Sequence, residues 1–318
     1  MLAHKILITG INGFVGTNMY NQFEKHMSIV GVDLPSNANK LNCKIYNWDN
    51  ISKLPNVDSI IHLAGMAHDT EGAVDASKYF RVNVDLTKQI FDHFLKSSAQ
   101  KFIYFSSVKA VADTLNHTVL TEEIAPTPKT PYGKSKLEAE KYIMSKLLPE
   151  GKRVYILRPA MIHGPGNKGN LNLLFSILRT GIPYPLGAYQ NLRSFTSMQN
   201  LLFLLEKLLE LDVETGTYNV CDDESLSTSD IAHVINHSLG NSDRVWNIPK
   251  ALINMIARIG DVIFLPLNSE RLKKMTESYV VSNKKIKEAT RVKALPISAH
   301  AGLVATLESF RIKNKDND

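Results

Sequence analysis

The sequence predicts an α/β protein in which a doubly wound parallel sheet is joined to a smaller C-terminal domain. Three observations predict it. The first half alternates short, continuous apolar runs with helical patterns of ten or more residues, as in a parallel sheet buried on both faces. A glycine-spaced turn, Gly10-Ile-Asn-Gly13-Phe-Val-Gly16, separates the first apolar run from the first helical pattern. Past Pro165 the pattern changes to shorter helices broken by glycine and proline turns, at Gly164-Pro165-Gly166, Gly181-Ile182-Pro183 and Pro185-Leu186-Gly187.

Residues 5–9 read as the first strand, and residues 14–25 as the helix that the glycine turn opens. Residues 29–33 give a second strand, 44–48 a third at an edge, and 59–64 (SIIHLA) a fourth, followed by a long helix over 83–96. Residues 102–106, 132–147 and 154–157 continue as strand, helix and strand. These elements place a first domain at residues 1–165, with a returning segment near 192–230, and a smaller domain at 166–191 and 231–318. Residues 201–211 are strongly apolar, but Glu206, Lys207 and Glu210 interrupt them. They predict an amphipathic core helix, too short to span a bilayer, so no membrane insertion is expected.

Composition narrows the function classes. With 318 residues, 44% hydrophobic and 21% charged, the chain has ample material for a core. A net charge of +6 without a basic arm argues against a nucleic-acid partner. The densest basic stretch, residues 271–293, follows Glu270 and is interleaved with Glu277 and Glu288, so it reads as a solvated helical face. Cys43 and Cys221 form neither a metal-ligand pattern nor a disulfide framework. No metal is expected, and a reducing, cytoplasmic setting suits the chain. The N-terminal apolar run goes straight into a glycine turn, as a buried strand does and a signal peptide does not.

The glycine turn is the first chemistry-bearing feature. Glycines at 10, 13 and 16, between a strand and a helix, let the backbone approach a pyrophosphate whose charge the free N–H groups of the helix start receive. This is the dinucleotide turn of a Rossmann-type sheet, with Asn12, Phe14 and Val15 completing it. Asp33 ends the second strand, where it can bond both ribose hydroxyls of an adenosine and would repel a 2′-phosphate. No Arg lies in the loop or just after Asp33, so NAD is expected in preference to NADP.

A second constellation lies further along. Ser106-Ser107 ends the fifth strand, and Tyr132-Gly-Lys-Ser-Lys136 follows. The Tyr-x-x-x-Lys spacing alone is weak: with 11 Tyr, about one match arises by chance, and Tyr142 with Lys146 is a second match. Position separates the two. Thr130-Pro131 is a helix start, which puts Tyr132 at the helix end nearest the ligand crevice. Tyr142 lies about 15 Å farther along the axis on another face and is expected to pack. A phenol with a pKa of about 10 is a poor base at neutral pH. Lys136, one turn on along the same face, is expected to lower that pKa, and Ser107 to orient a substrate hydroxyl.

Together these motifs resemble the extended short-chain dehydrogenase/reductases, in their nucleotide-sugar epimerase/dehydratase branch. The resemblance covers nearly the whole chain: GINGFVG (10–16), IIHLAG (60–65), Asn83 in RVNVDLT, FSSVKA, YGKSK, LRPAMIHGPG (157–166), RSFTSMQNL (193–201) and YNVCDDESLST from Tyr218. It implies Tyr132 as acid/base, Lys136 on the nicotinamide ribose and Ser107 on the substrate oxygen. It also implies Asp49 near the adenine, Leu63, Ala64, Gly65 and Asn83 along the cofactor, and Arg158 as structural support. Asn170, Arg193 and Arg271 are implied against the substrate's nucleotide diphosphate, where an arginine fork bonds phosphate oxygens bidentately. A homodimer through the helices at 83–96 and 132–147 is implied as well.

Three departures shape the reaction. Val108-Lys109 stands where the family's sugar 4,6-dehydratases carry an Asp-Glu pair, so the acid and base for removing water are missing. Lys109 can reach the sugar, an arrangement similar to that of a subgroup handling UDP-N-acetylated or deoxy sugars for surface polysaccharides. The loop after Lys109 lacks the family's Tyr-Gly, and His163 stands where a Tyr is usual. The expected function is an NAD-dependent 4-epimerase of a UDP-hexose or UDP-N-acetylhexosamine, acting through a transient 4-keto sugar. The alternative is an NAD(P)H-dependent 4-ketoreductase of a UDP-4-keto-6-deoxy-HexNAc. A cofactor-binding regulator with a dead site is disfavoured, because it has no need of Ser107, Tyr132 and Lys136.

Overall fold

The computed structural model describes residues 4–34, 41–66, 75–115, 119–167, 170–242, 244–263 and 268–315. The apolar runs of the first half form β1 (Lys5–Thr9), β2 (Ser28–Val32), β3 (Lys44–Tyr46), β4 (Ser59–His62), β5 (Lys101–Phe105) and β6 (Arg153–Pro159). The chain then builds two strands of a small second sheet, β7 (Met161–His163) and β8 (Arg193–Ser197). It returns to the large sheet as β9 (Gly216–Val220) and completes the small one with β10 (Ser225–Leu226). The large sheet has the order β3-β2-β1-β4-β5-β6-β9, and the small one β10-β8-β7. All six pairings of the large sheet are parallel.

Period-two alternation divides the strands between two apolar layers. Ile6, Ile8, Ile61, Ile103, Tyr155 and Leu157 pack on one face with α1 (Phe14–Phe23). Leu7, Ile60, Phe102, Tyr104, Val154 and Ile156 pack on the other. That second face is covered by α3 (Leu86–Lys96), which follows the short α2 (Ala76–Phe80), and by α4 (Pro131–Met144). After α5 (Asn170–Arg179), the Leu-rich α6 (Met198–Glu210) joins α1 on the first face, burying Leu201, Leu204, Leu205 and Leu208. Strand order reverses between β1 and β4, so their carboxyl ends open the crevice where such sheets bind ligands.

The remaining helices are α7 (Thr228–Ser238), α8 (Lys250–Ile263), α9 (Ser269–Thr276), α10 (Lys284–Ala289) and α11 (Ala299–Lys315). Phe175 of α5, Ile231 and Ile235 of α7, Ile253 of α8, Leu272 of α9 and Leu307 of α11 share a separate core. Among the described residues, no helix is long and apolar enough to cross a membrane.

Two stretches differ from their sequence pattern. The helix expected over 83–96 begins earlier, at Ala76, and is interrupted by a π-turn at Arg81–Asp85. The wide turn buries Asn83 and Val84 side by side, and Asn83 is held there by the backbone of Met66. The basic stretch at 271–293 is not one solvated helical face. Between α9 and α10 runs an extended segment whose alternate residues Tyr279 and Val281 are buried, with bridges to Arg193 and Leu120. Its period is two, and the neighbouring charges hid it.

Candidate active site

The glycine turn forms because its residues cross other backbone at close range. Gly10 has φ +69°, and a Cβ there would lie 2.8 Å from the Ala64 nitrogen. A Cβ on Gly16 would lie 2.5 Å from the Gly10 carbonyl oxygen, so Gly16 lets α1 start directly against the turn. Gly13 is the N-cap of α1 and supplies no side chain to the helix start. The first N–H groups of α1 therefore keep an open approach for an anion. Asp33 accepts a hydrogen bond from the Asn12 amide at 2.8 Å and one from Leu34 at 2.8 Å, fixing a carboxylate beside the turn. Phe14 and Val15 are half-buried against the α1 face of the sheet. This set of residues fits a dinucleotide: backbone donors for a pyrophosphate, then a carboxylate for a ribose diol.

A chain of buried polar groups underlies the crevice. Thr9, at the end of β1, meets His62 Nδ1 at 2.6 Å, and His62 Nε2 meets Thr87 at 2.8 Å. The Thr87 hydroxyl donates to the Asn83 carbonyl, and the Ala64 N–H donates to Thr9. Burial and the nearby Lys136 charge push His62 down to about 3, so it stays neutral and acts as a bridge. Asn83 in turn donates to Ser135 of α4 at 2.9 Å. A Cβ on Gly65 would sit 3.0 Å from both Asn83 Oδ1 and Lys136 Nζ, so the Leu63–Ala64–Gly65 backbone passes flush over both. Sequence reasoning missed Thr9, His62 and Thr87; the one signal was a histidine inside an otherwise apolar strand.

The Ser107 and Tyr132 hydroxyls are set by two elements pinned to each other. Ser107 follows β5 and caps a 310 turn at Val108–Ala110, accepting from the Lys109 N–H at 3.2 Å. Thr130 caps α4, and Pro131 occupies its first turn. Asp113 ties these together by accepting from the Lys129 and Thr130 amides and from the Thr130 hydroxyl. The Tyr132 and Ser107 side chains are consequently close neighbours, and the Tyr132 ring meets Tyr79 edge-on at 6.2 Å. Tyr142 points elsewhere, its hydroxyl on Asp92 of α3 at 2.7 Å and its ring against Phe91.

Burial is the main influence on Tyr132 and raises its pKa, where the sequence pattern predicts a lowered one; Ser107 opposes the rise. The Lys136 ammonium donates to the Phe105 carbonyl at 2.8 Å and lies over the Tyr104 ring. Burial pushes it down to about 8, partly countered by Glu140 one turn later. Glu140 itself holds Arg158 bidentately, at 2.9 and 2.6 Å, and accepts from Ser106. The supporting role implied for Arg158 thus includes a partner, Glu140, that the motif reading did not single out.

The remaining candidates separate into groups. Lys109 Nζ donates to the Asp113 carbonyl at 2.6 Å and lies 4.2 Å over the Tyr279 ring. Its pKa is lowered by burial first and by Arg193 second, so the two cations share one neighbourhood. Arg193, opening β8, donates to the Lys274 carbonyl at 3.0 Å, with Glu277 nearby. Arg271 is exposed on α9, whose Lys274 carbonyl anchors Arg193. Asp49 is exposed on the 310 helix after β3, where it lines a groove of about 420 Å³ with Gln89, Asp92, His93 and Lys96. Asn170 begins α5, and its side chain lies outside the described residues. His163 is buried, bonded to Thr306 at 2.9 Å, and supports the small sheet.

A Rossmann-type sheet, a glycine turn with a carboxylate beside it, and a Ser–Tyr–Lys set define a dinucleotide-dependent enzyme. The chain belongs to the NAD dependent epimerase/dehydratase family, which matches residues 6–221. It is 30% identical over 261 residues to a UDP-glucose 4-epimerase of Vibrio cholerae, covering 78% of this chain and 79% of that protein. It is 25% identical to the N-acetyl-α-D-glucosaminyl-diphospho-ditrans,octacis-undecaprenol 4-epimerase of Escherichia coli O157:H7, covering 98% of this chain and 97% of the other. The fold is similar to that of the UDP-N-acetylglucosamine 4-epimerase of Bacillus cereus, with a TM-score of 0.75, 22% identity, and coverage of 97% and 99% of the two chains.

Proposed function

We propose that the protein is an NAD-dependent 4-epimerase of a UDP-hexose or UDP-N-acetylhexosamine. The observation that carries this reading is the pairing of Ser107 with Tyr132 at the end of β5, where Lys136 holds the Phe105 carbonyl. The glycine turn would hold the pyrophosphate, Asp33 the adenosine ribose, and Asn83 and Lys136 the second ribose. NAD, when bound, supplies a reversible hydride acceptor for C4 of the sugar. Tyr132 would take the 4-hydroxyl proton while Ser107 holds that oxygen, then return the proton after the 4-keto sugar has presented its other face. Asn170 and Arg193 would receive the nucleotide diphosphate, with Arg271 as a further candidate, and Lys109 would reach the sugar. Val108 and Lys109 offer no carboxylate for removing water, which supports epimerisation over dehydration. Two of the relatives are named 4-epimerases, which supports the same reading.

The test is incubation of the purified protein with UDP-glucose and with UDP-N-acetylglucosamine, without added cofactor. An epimerase retains NAD and interconverts each active sugar with its 4-epimer. A one-way 4-ketoreductase would use the same residues, so oxidation of NADH only when a 4-keto sugar is supplied, without epimer exchange, would replace this reading. The α3–α4 pair, joined by the Tyr142–Asp92 bond, would supply two helices of a four-helix homodimer interface in the cytoplasm. Light scattering reads that directly.

A further inference from the structure

Ser107 and Lys109 stand on the turn after β5, and Arg193 opens β8, far along the chain. One buried side chain, Tyr279, meets both elements. Its hydroxyl donates to the Ala112 carbonyl at 2.7 Å and to the Val108 carbonyl at 3.1 Å, sharing one proton between the start of the turn and the residue just past it. Its ring lies 4.2 Å under the Lys109 ammonium. Its backbone pairs on both sides of Arg193, donating to the Leu192 carbonyl at 2.8 Å and accepting from the Ser194 amide at 2.9 Å. Burial, with Asp113 and Glu277 nearby, pushes the Tyr279 pKa up, so the hydroxyl keeps the proton it donates.

A 310 turn of three residues has poor hydrogen-bond geometry of its own and takes its shape from what grips it. On one side the grip is α4: Asp113 holds its cap, and a Cβ on Gly133 would collide with the Lys109 carbonyl, so helix and turn touch there. On the other side it is Tyr279, which shares an apolar cluster with Val108, Val111 and Val281. Two separable parts of one side chain thus face two groups of the site: the hydroxyl faces the backbone of the turn, and the ring faces Lys109. We propose that Tyr279 is a positioning residue, which holds Ser107 beside Tyr132 through the turn and holds Lys109 through the ring. The role assigned to Tyr279 rests on the epimerase reading of Ser107 and Lys109. The sequence pattern gives no sign of it, because Tyr279 lies 171 residues beyond Val108.

Tyr279→Phe keeps the ring and removes both hydrogen bonds. In epimer exchange of a UDP-sugar it should lower kcat about tenfold to a hundredfold and leave KM within about twofold. Tyr279→Leu removes the ring as well, so KM should also rise, by about fivefold or more. Added to Ser107→Ala, Tyr279→Phe should cost less than about twofold further, because both changes act on one hydroxyl. NADH binding at the parent stoichiometry shows that the variants are folded. A Tyr279→Phe kcat equal to the parent's, or a full further loss on top of Ser107→Ala, overturns the proposal while the epimerase reading stands. Hydrogen exchange reads the turn without any substrate. In Tyr279→Phe the Ala110 and Val111 amides, which donate to the Ser107 and Val108 carbonyls, should exchange about fivefold faster or more, with the Gly10 amide unchanged. If the parent converts no nucleotide sugar, the epimerase reading fails; unchanged exchange in the Phe variant overturns the Tyr279 assignment on its own.

Discussion

Replacing Lys136 with Met should stabilise the protein at neutral pH while removing its activity. The ammonium is fully buried, and burial lowers its pKa to about 8 from the ordinary 10.5. The unfolded chain therefore holds this proton more tightly than the folded one, and stability rises with pH wherever the unfolded state binds more protons. Below pH 8 the whole penalty applies, about 3 kcal/mol at pH 7 from the difference between the two values. It should fall to about half near pH 9 and vanish above about pH 10.5. Methionine fills similar volume without the charge, but leaves the Phe105 carbonyl without its donor, a loss of about 1 kcal/mol. A net gain of about 2 kcal/mol at pH 7 remains, shrinking through zero as pH approaches 10. Urea unfolding of both proteins without added NAD, at pH 7 and again at pH 9.5 to 10, measures this. A variant less stable at pH 7, with a difference that does not change with pH, would refute the argument that burial of the charge dominates at this residue.

Other substitutions probe the surrounding geometry. Tyr132→Phe removes the proposed proton carrier; turnover should fall by about 10² to 10⁴, with NAD binding retained by calorimetry. Arg158→Met leaves the Glu140 carboxylate buried with Ser106 as its remaining donor and should lower stability by about 3–5 kcal/mol; adding Glu140→Leu should recover most of that, read as a double-mutant cycle in urea. Gly10→Ala places a Cβ 2.8 Å from the Ala64 nitrogen at a positive φ, so cofactor affinity should drop at least about tenfold, by fluorescence titration of NADH.

Most of the large sheet could be read from the sequence because its strands are continuous apolar runs with punctuated ends. Lys5–Thr9 and Lys101–Phe105 need no tertiary information to be recognised. The small sheet was harder: Met161–His163 and Ser225–Leu226 are too short to establish a period. Within the site, Gly10, Ser107 and Tyr132 stand in local motifs, so spacing finds them. Glu140 and His62 act on groups that are distant in sequence, and nothing local distinguishes them from a helix-surface carboxylate or a strand histidine. The position of the Lys136 ammonium depends on the Phe105 carbonyl, a contact across 31 residues that spacing along α4 cannot predict.

The interleaving of the two sheets bears on how the chain is made. β6 is an interior strand only after β9 pairs along its outer edge, and β9 ends at Val220, 61 residues beyond Pro159. A ribosome adding about 5–20 residues per second needs roughly 3–12 s to supply that partner. Throughout that interval β6 presents unpaired backbone and the apolar side chains of Tyr155 and Leu157 as a ready template for other nascent chains. Fragments ending near residue 165 would keep that edge permanently, so they should be recovered as aggregates rather than as a soluble cofactor-binding half.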